Sequence, residues 1–317
     1  MKSAIKRTAC TFLLSSLILS SFVSCLGESD SQETDTALST VQSDAQKDSE
    51  TPSGTDTEDK PGGEEPALTR EDMINGLKGL NVLCIGDSLF DGDAVGNEGQ
   101  WLGLLAKECQ WNFTNLGRNG WTVAYDPAIN QSGTTKKQSM YQKLYNDPNY
   151  TWGTNDSQYY KCGNTNTSKE TVDIVLLEGG VNDYSLGYPL GTASSKDPSE
   201  VLGAWNLIVE KMLVDYPNAK IVFFTSWHVE QKRDDGARRM DFVVNGVRDI
   251  VENNYYKNDR VIFLDAGASE LSGIYLADAA FREEYAMKPS DTNHLNEKGM
   301  RLMAEAMIPV LWELTQE

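Results

Sequence analysis

The sequence contains few of the residues that build metal and nucleic-acid sites. It has only two histidines, His228 and His294, and no histidine–cysteine cluster with the spacing of a zinc site. Lysine and arginine together number 28 against 47 acidic residues, and no basic patch is interleaved with aromatic side chains. We therefore expect no metal, no other cofactor and no nucleic-acid partner.

Cysteine is also scarce, with five in 317 residues. Cys10 and Cys25 lie near the amino terminus, and Cys84 lies in a short apolar run. Cys109 and Cys162 can pair in an oxidising compartment, but three cysteines leave one without a partner and define no framework. The sequence leaves open whether these two form a disulfide.

The amino terminus has the pattern of a targeting segment. Three basic residues precede an apolar run over residues 9–23, which ends in Phe-Val-Ser-Cys at 22–25. The run is interrupted by serines and is marginal as a membrane-spanning helix. Residues 1–25 resemble the signal peptide and lipobox of bacterial lipoproteins, which implies lipidation at Cys25, a lipid anchor in the membrane and an extracytoplasmic, cell-surface location. Simple secretion is the alternative.

Residues 26–72 have the composition of a disordered, acidic tether. They include 14 acidic and 3 basic residues and almost no large apolar side chain, so they carry more than half of the net charge of −19. Such a segment cannot bury enough apolar surface to offset its ordering entropy. The remaining residues, 73–317, suffice for one α/β domain with a sizeable core.

Five short apolar runs predict the strands of a buried sheet. Because helical patterns alternate with these runs, we expect parallel strands joined by right-handed crossovers. The predicted fold is a three-layer α/β/α architecture with a central parallel sheet of about five strands. The strands are predicted at 82–85, 111–115, 172–177, 220–225 and 261–264, and the longest helices at 199–216, 234–256 and 299–314.

Residues 121–170 form an inserted loop region without apolar periodicity. Loops of this length inside compact domains are usually functional or disordered, and the many aromatic residues argue against plain disorder. Two interpretations stay open. The insert is either a lid or substrate-binding flap, with Trp121 and Trp152 as candidate substrate-binding residues, or its rings simply pack it onto the domain.

Polar residues follow the predicted strands at one edge of the sheet. Ser88 comes just after the first strand, Gly120 lies in the loop after the second, and Asn182 follows the third. The carboxyl ends of parallel strands meet at the edge where open α/β folds bind their ligands. Asp291 precedes His294 by three residues, so its carboxylate can turn back onto the imidazole and fix the tautomer of a base.

Four motifs resemble those of the SGNH, or GDSL, hydrolase family. They are Gly-Asp-Ser-Leu at 86–89, Asn-x-Gly-x-Asn-Gly-x-Thr at 115–122, Gly-x-Asn-Asp at 180–183 and Asp-x-x-His at 291–294. Order and spacing agree over residues 80–317, and the resemblance implies the flavodoxin-like fold of that family. No Gly-x-Ser-x-Gly motif surrounds the serine, which argues against the ordinary α/β-hydrolase fold.

The resemblance implies a role for each matching residue. Ser88 would be the nucleophile, His294 the general base, and Asp291 the acid that orients the base. The oxyanion hole would consist of the backbone N–H groups of Ser88 and Gly120 and the side-chain amide of Asn182.

Two details of this assignment stay open. Asn119 stands where the family usually has a smaller residue, so Gly117 competes with Gly120 as the backbone donor, although Thr122 favours Gly120. His228 follows the fourth predicted strand and has no acid at comparable spacing. It is interpreted as a substrate-binding residue that lines the pocket, with a structural histidine as the alternative.

The resemblance therefore implies a serine esterase that hydrolyses ester-linked acyl groups. The extracellular address, the tether and the polar aromatic insert favour acetyl groups on extracellular carbohydrate as the substrate. A lipolytic esterase or lysophospholipase, an O-acetyltransferase and a non-catalytic glycan-binding module on the same scaffold are the alternatives. A binding module would be free to lose Ser88, Asn182 or His294, and none of them is lost. The sequence leaves the oligomeric state open.

Overall fold

The computed structural model describes residues 68–92, 95–130 and 138–316. From Thr69 onwards the chain forms one compact unit. The predicted signal peptide, Cys25 and the tether up to residue 67 lie outside the described residues. In the part of the chain that the structure describes, no helix is both long and apolar enough to cross a membrane.

The centre of the fold is a six-stranded sheet. Its strands are β1 (Asn81–Ile85), β2 (Asn112–Asn115), β3 (Tyr160–Cys162), β4 (Ile174–Leu177), β5 (Lys220–Phe224) and β6 (Val261–Leu264). They lie in the order β3-β2-β1-β4-β5-β6, and all neighbouring pairs are parallel except β2 and β3. The five predicted parallel strands are confirmed. The insert adds β3 as an antiparallel edge strand, which its three residues Tyr-Lys-Cys did not reveal because they carry no apolar pattern.

Helices connect the strands and cover the sheet. They are α1 (Arg70–Leu77), α2 (Trp101–Glu108), α3 (Pro127–Asn130), α4 (Met140–Asn146), α5 (Val181–Leu186), α6 (Val201–Asp215), α7 (Gly246–Asn254), α8 (Ser269–Ser272), α9 (Ala279–Tyr285) and α10 (Glu297–Gln316). The predicted three-layer fold is confirmed.

Two predicted boundaries need correction. The predicted domain start at residue 73 falls inside α1, because Thr69 caps this helix by accepting the Asp72 N–H on its side chain. The helix predicted over 234–256 begins late, because Asp-Asp-Gly at 234–236 makes a turn in which Gly236 has φ +90°. A π-helical turn over Asp241–Asn245 then leads into α7.

Alternate side chains of the parallel strands enter two separate cores. On one face, Leu83 and Val175 belong to a large apolar cluster that includes Trp205 of α6. On the other face, the ring of Phe224 stacks on Trp101 of α2 with centroids 4.9 Å apart. Burial on both faces fixes the height of each strand, so it also fixes where each carboxyl end emerges.

The insert packs onto the domain through its aromatic rings. Tyr150 lies 5.4 Å from Trp121 and 5.7 Å from Tyr159 between ring centroids, and all three side chains are buried. For these rings the structure favours the packing interpretation. The described cysteines, Cys84, Cys109 and Cys162, are all free thiols, so the disulfide left open by the sequence is not formed in this structure.

Candidate active site

The turn after β1 presents Ser88 at the carboxyl edge of the sheet. The Asp87 side chain accepts the Leu89 N–H at 3.1 Å, and the Asp87 carbonyl accepts the N–H groups of Phe90 and Asp91 at 3.2 and 3.0 Å. These bonds close a tight turn. Asp87 and Leu89 are buried within it, whereas Ser88 between them is only half-buried. The turn therefore exposes the serine while holding its backbone.

His294 and Asp291 complete a continuous chain of hydrogen bonds with Ser88. The His294 Nε2 atom lies 2.9 Å from Ser88 Oγ, and His294 Nδ1 lies 3.0 Å from Asp291 Oδ2. Burial raises the pKa of Asp291. Hydrogen bonds from the backbone N–H groups of His294 and Asn293 and from the imidazole lower this pKa by more, so the net shift is downward. The carboxylate is therefore ionised and suited to orient the imidazole.

Contacts on both sides hold the segment that carries His294. The Trp227 indole N–H donates to the Asn293 carbonyl at 2.6 Å, and the Met287 N–H donates to the His294 carbonyl at 3.0 Å. An isolated antiparallel bridge joins Ala286 to Leu295. The imidazole is thus positioned from neighbouring elements as well as from Asp291.

The loop after β2 distinguishes between the two candidate glycines. The Gly117 N–H donates to Asn115 Oδ1 at 2.9 Å, so it is already engaged. Gly120 has φ +76°, and among the described residues neither its N–H nor that of Ser88 donates to a protein acceptor. Asp91 holds this loop by accepting the Asn119 N–H at 2.6 Å. Gly120 is therefore the glycine whose N–H is available to a ligand.

Asn182 reaches the same edge from the start of α5. Its side-chain amide donates to the Trp121 carbonyl at 2.8 Å and to Asp87 Oδ2 at 3.1 Å. The preceding Gly180 has φ +111°, and a Cβ there would lie 2.6 Å from the Phe242 carbonyl oxygen. Only glycine fits this corner, which turns Asn182 back towards the first strand.

Asp183, the next residue, ties the insert to the sheet. Its carboxylate accepts the Val123 N–H at 2.9 Å and the Ala124 N–H at 2.9 Å. Burial raises the pKa of Asp183 to about 7, and these backbone donors oppose that shift. The Asn-Asp pair therefore performs two different tasks, because its two side chains point to different partners.

The remaining predicted site residues lie apart from this hydrogen-bond chain. His228 Nε2 lies 2.7 Å from Asp265 Oδ1, and Arg248 and Thr225 also donate to that carboxylate. Hydrogen bonding to Asp265 raises the pKa of His228. The sequence did not reveal this acid because Asp265 follows a different strand.

The two candidate tryptophans are core residues in this structure. The side chains of Trp121 and Trp152 are only 8% and 5% exposed, and both belong to the main apolar cluster. The Lys143 ammonium lies 5.8 Å from the Trp121 ring centroid, and the Trp152 indole N–H contacts Thr167 Oγ1 at 3.4 Å. Neither tryptophan offers a free ring face on which a sugar could stack.

Sequence reasoning missed three buried ionisable groups beneath Ser88. The Asp87 backbone N–H donates to Glu178 Oε2 at 3.4 Å, and the charges of the two carboxyl groups and of the Arg239 guanidinium influence one another. All three side chains are about 1% exposed. A glutamate directly after the apolar β4 run was the one available signal, since an acid is rarely fully buried without a partner.

No metal-binding arrangement is present among residues 68–92, 95–130 and 138–316. They contain no group of three or more histidine, cysteine, aspartate or glutamate side chains that is placed to hold a metal ion. The chemistry available at this edge is that of a hydroxyl, an imidazole, a carboxylate and N–H donors.

A hydroxyl, an imidazole and a carboxylate in series at the carboxyl edge of a parallel sheet are the arrangement found in serine hydrolases. The sequence profile of the GDSL-like lipase/acylhydrolase family matches residues 84–302, and this chain belongs to that family. It is accordingly a hydrolase that acts on ester bonds. No curated protein sequence matches the chain.

Several solved structures are similar to this chain at low sequence identity. A protein from Lactobacillus plantarum is 19% identical with a TM-score of 0.54, and the match covers 74% of this chain and 97% of that one. A putative GDSL-like lipase from Bacteroides ovatus is 17% identical with a TM-score of 0.43, over 74% and 100% of the two chains. A family two carbohydrate esterase from Cellvibrio japonicus is 15% identical with a TM-score of 0.46, over 75% and 62%. The likeness to the Lactobacillus plantarum protein concerns the fold alone.

Proposed function

We propose that this chain is a serine esterase that removes short acyl groups, foremost acetyl, from extracellular carbohydrate. The observation that carries the proposal is the 2.9 Å contact between Ser88 Oγ and His294 Nε2, continued to Asp291. A serine hydroxyl is a weak nucleophile until a positioned imidazole accepts its proton. In the proposed reaction, His294 takes that proton while Ser88 Oγ attacks the ester carbonyl.

The negative charge of the tetrahedral intermediate requires preorganised donors. The N–H groups of Ser88 and Gly120 are available for this purpose, and the Asn182 amide is the third proposed donor. In this structure the amide donates hydrogen bonds to Trp121 and to Asp87. The N–H that donates to Asp87 would also donate to the oxyanion. Each such donor is worth about 3 kcal/mol in the transition state.

Collapse of the intermediate breaks the ester C–O bond and leaves the acyl group on Ser88. His294, now protonated, gives its proton to the leaving alcohol. A water molecule then attacks the acyl-enzyme with His294 again acting as base, which releases the free acid and restores the serine.

The polar rim of the site supports a hydroxyl-bearing substrate. In the loop that carries Gly120, Asn119 is exposed and Arg118 is half-buried. His228, in the loop after β5, is partly exposed. His228 is proposed to bind substrate. We expect His228→Gln to raise KM for a sugar ester and to leave KM for p-nitrophenyl acetate unchanged.

An exposed apolar side chain beside His294 favours the second candidate, a lipolytic esterase. Met287 is 43% exposed, and its N–H donates to the His294 carbonyl. The helix that precedes Met287 carries Phe281 and Tyr285, whose rings stack with centroids 4.5 Å apart, and Phe281 also contacts the exposed Tyr275. A surface of this kind can accept an acyl chain as well as a sugar ring.

A substrate series separates the two candidates. We expect acetate release from acetylated xylan and from p-nitrophenyl acetate to exceed hydrolysis of p-nitrophenyl octanoate and of a lysophospholipid. A strong preference for octanoate would contradict the proposal and support the lipolytic alternative. Acyl transfer to added sugar in place of water would instead identify an O-acetyltransferase.

A lipid anchor at Cys25 is proposed for localisation, on the basis of the leader motif alone. We expect metabolic labelling with a fatty acid and partition into detergent, both abolished by Cys25→Ala. Partition of the unlabelled parent into the aqueous phase would favour simple secretion.

A further inference from the structure

Two carboxyl groups and one guanidinium are buried beneath the nucleophile, and their charges do not balance if all three are ionised. The Arg239 guanidinium is 1% exposed, and its hydrogen bonds to Gln231 and Ser226 are both long, at 3.4 Å. Its Nε and the Glu178 Oε1 atom have no hydrogen-bond partner among the described residues. One positive charge can balance one carboxylate, so the second carboxyl is most stable when it keeps its proton.

Apart from Arg239, His294 is the one described group that could bring a positive charge to these carboxyl groups. Asp183 is buried nearby but is itself an acid, and its charge is met by backbone N–H groups. Asp291 and, when ionised, Tyr184 add negative charge near Arg239, and the His294 ring is engaged by Asp291 and Ser88. One of the two carboxyl groups, Asp87 or Glu178, therefore keeps its proton.

The pattern of N–H donors shows which carboxyl is ionised. Asp87 accepts the Leu89 N–H at 3.1 Å and the Asn182 side-chain N–H at 3.1 Å. Among the described residues, the Glu178 carboxyl accepts only the Asp87 backbone N–H, at 3.4 Å. Donors gather on the charged oxygen atoms, so Asp87 is the carboxylate and Glu178 is the acid.

We propose that Glu178 is a positioning residue that donates a hydrogen bond from its protonated carboxyl to Asp87, and that Asp87 thereby holds both the Ser88 turn and the Asn182 amide. This inference rests on the proposed function, because it assigns those two groups their roles in ester hydrolysis. Burial, followed by repulsion from Asp87, raises the pKa of Glu178 well above its usual range, which agrees with the geometry.

A matched set of variants tests which carboxyl holds the proton. Glu178→Gln replaces the acid O–H with an amide N–H, so we expect it to keep kcat within about threefold of the parent. Glu178→Leu cannot donate, and the resulting shift of Asn182 and Ser88 should lower kcat by about thirtyfold or more with little change in KM. Asp87→Asn should also be impaired, because the N–H₂ group of the new asparagine would face N–H donors whose hydrogen bonds Asp87 accepts in the parent.

The opposite ranking would overturn the proposal. Tolerance of Asp87→Asn together with loss of activity in Glu178→Gln would place the proton on Asp87. A Glu178→Leu variant with parental kcat would show that Glu178 positions nothing. If Glu178→Leu does not fold, the comparison of Glu178→Gln with Asp87→Asn still decides the assignment.

Two spectroscopic readouts keep this inference separate from the proposed function. Infrared difference spectra of the full chain at about pH 8, where the Asp183 carboxyl with its pKa of about 7 is mostly ionised, should show the C=O stretch of a protonated carboxylic acid, and this band should be absent from Glu178→Gln. The Asn182 side-chain amide resonance should move in Glu178→Leu but not in Glu178→Gln. Absence of the acid band in the parent overturns the inference, whereas a parent inert on every ester overturns the proposed function alone.

Discussion

The Trp227 indole N–H donates to the Asn293 carbonyl at 2.6 Å, one residue before His294. This bond links the end of β5 to the segment that carries the proposed base. Its counterpart on the other side is the bond from the Met287 N–H to the His294 carbonyl. The imidazole is therefore held by the fold and not only by Asp291.

Trp227→Phe keeps the ring and removes the donor. We expect kcat to fall by about tenfold or more with KM little changed, because small misplacements of a catalytic group are costly. Steady-state kinetics on p-nitrophenyl acetate measures this. Trp111→Phe is the matched control, since that buried indole donates to the Leu77 carbonyl at 3.0 Å at the opposite edge of the sheet. Equal losses in both variants would contradict a positioning role for Trp227.

Asp291→Asn should lower kcat by about a thousandfold or more, because an amide neither fixes the tautomer nor stabilises the imidazolium. The variant should remain folded by circular dichroism. Asp265→Asn is the control, as Asp265 pairs with the other histidine. Loss of activity in Asp265→Asn comparable with that in Asp291→Asn would indicate that the wrong histidine–aspartate pair has been assigned.

The pair of His228 and Asp265 predicts a pH effect on stability. The pKa of His228 is raised above its ordinary 6.5 by the hydrogen bond to Asp265, and the pKa of Asp265 is lowered, so the pair stabilises the fold fully below about pH 6.5 as long as Asp265 stays ionised. This contribution is lost as the pH rises through the raised pKa. We expect NMR titration to show a lower pKa for His228 in Asp265→Asn and no change in the exposed control Asp249→Asn. An unchanged His228 pKa in Asp265→Asn would contradict the pairing.

Alanine substitutions at Gly180 and Gly187 distinguish the cost of backbone strain from the cost of a steric clash. Both have positive φ, but a Cβ at Gly180 would lie 2.6 Å from the Phe242 carbonyl oxygen, whereas at Gly187 nothing lies within 4 Å. Gly187→Ala should cost about 1 kcal/mol in the free energy of unfolding, and Gly180→Ala clearly more. Urea denaturation measures both. Equal losses would show that the corner before Asn182 is not sterically closed.

Local patterns sufficed to predict the parallel strands and the residues that meet at their edge. Short apolar runs marked β1 and β4, and the motifs around Ser88 and His294 lie next to elements whose carboxyl ends converge. The structure adds contacts between residues far apart in the chain. Asp265 pairs with His228 from the next strand, and the charge of Arg239 acts on Glu178 from a different connection. No spacing rule links such partners, because tertiary packing alone brings them together.

The open choice between Gly117 and Gly120 shows the same limit. Both glycines fit the motif, and only the hydrogen bond from the Gly117 N–H to Asn115 Oδ1 excludes one of them. The tryptophans of the insert are a second case. Trp152 fits a stacking platform by composition, but its 5% exposure places it in the core. Composition does not determine which way a ring faces.

The most direct test of the central claim is the turnover of p-nitrophenyl acetate by the parent, Ser88→Ala and His294→Ala. We predict that the parent releases acetate and that each variant loses about a thousandfold or more in kcat while remaining folded. A stoichiometric fluorophosphonate adduct on Ser88 of the parent, absent from Ser88→Ala, would identify the nucleophile independently. A Ser88→Ala variant that retains the parental rate would contradict the account.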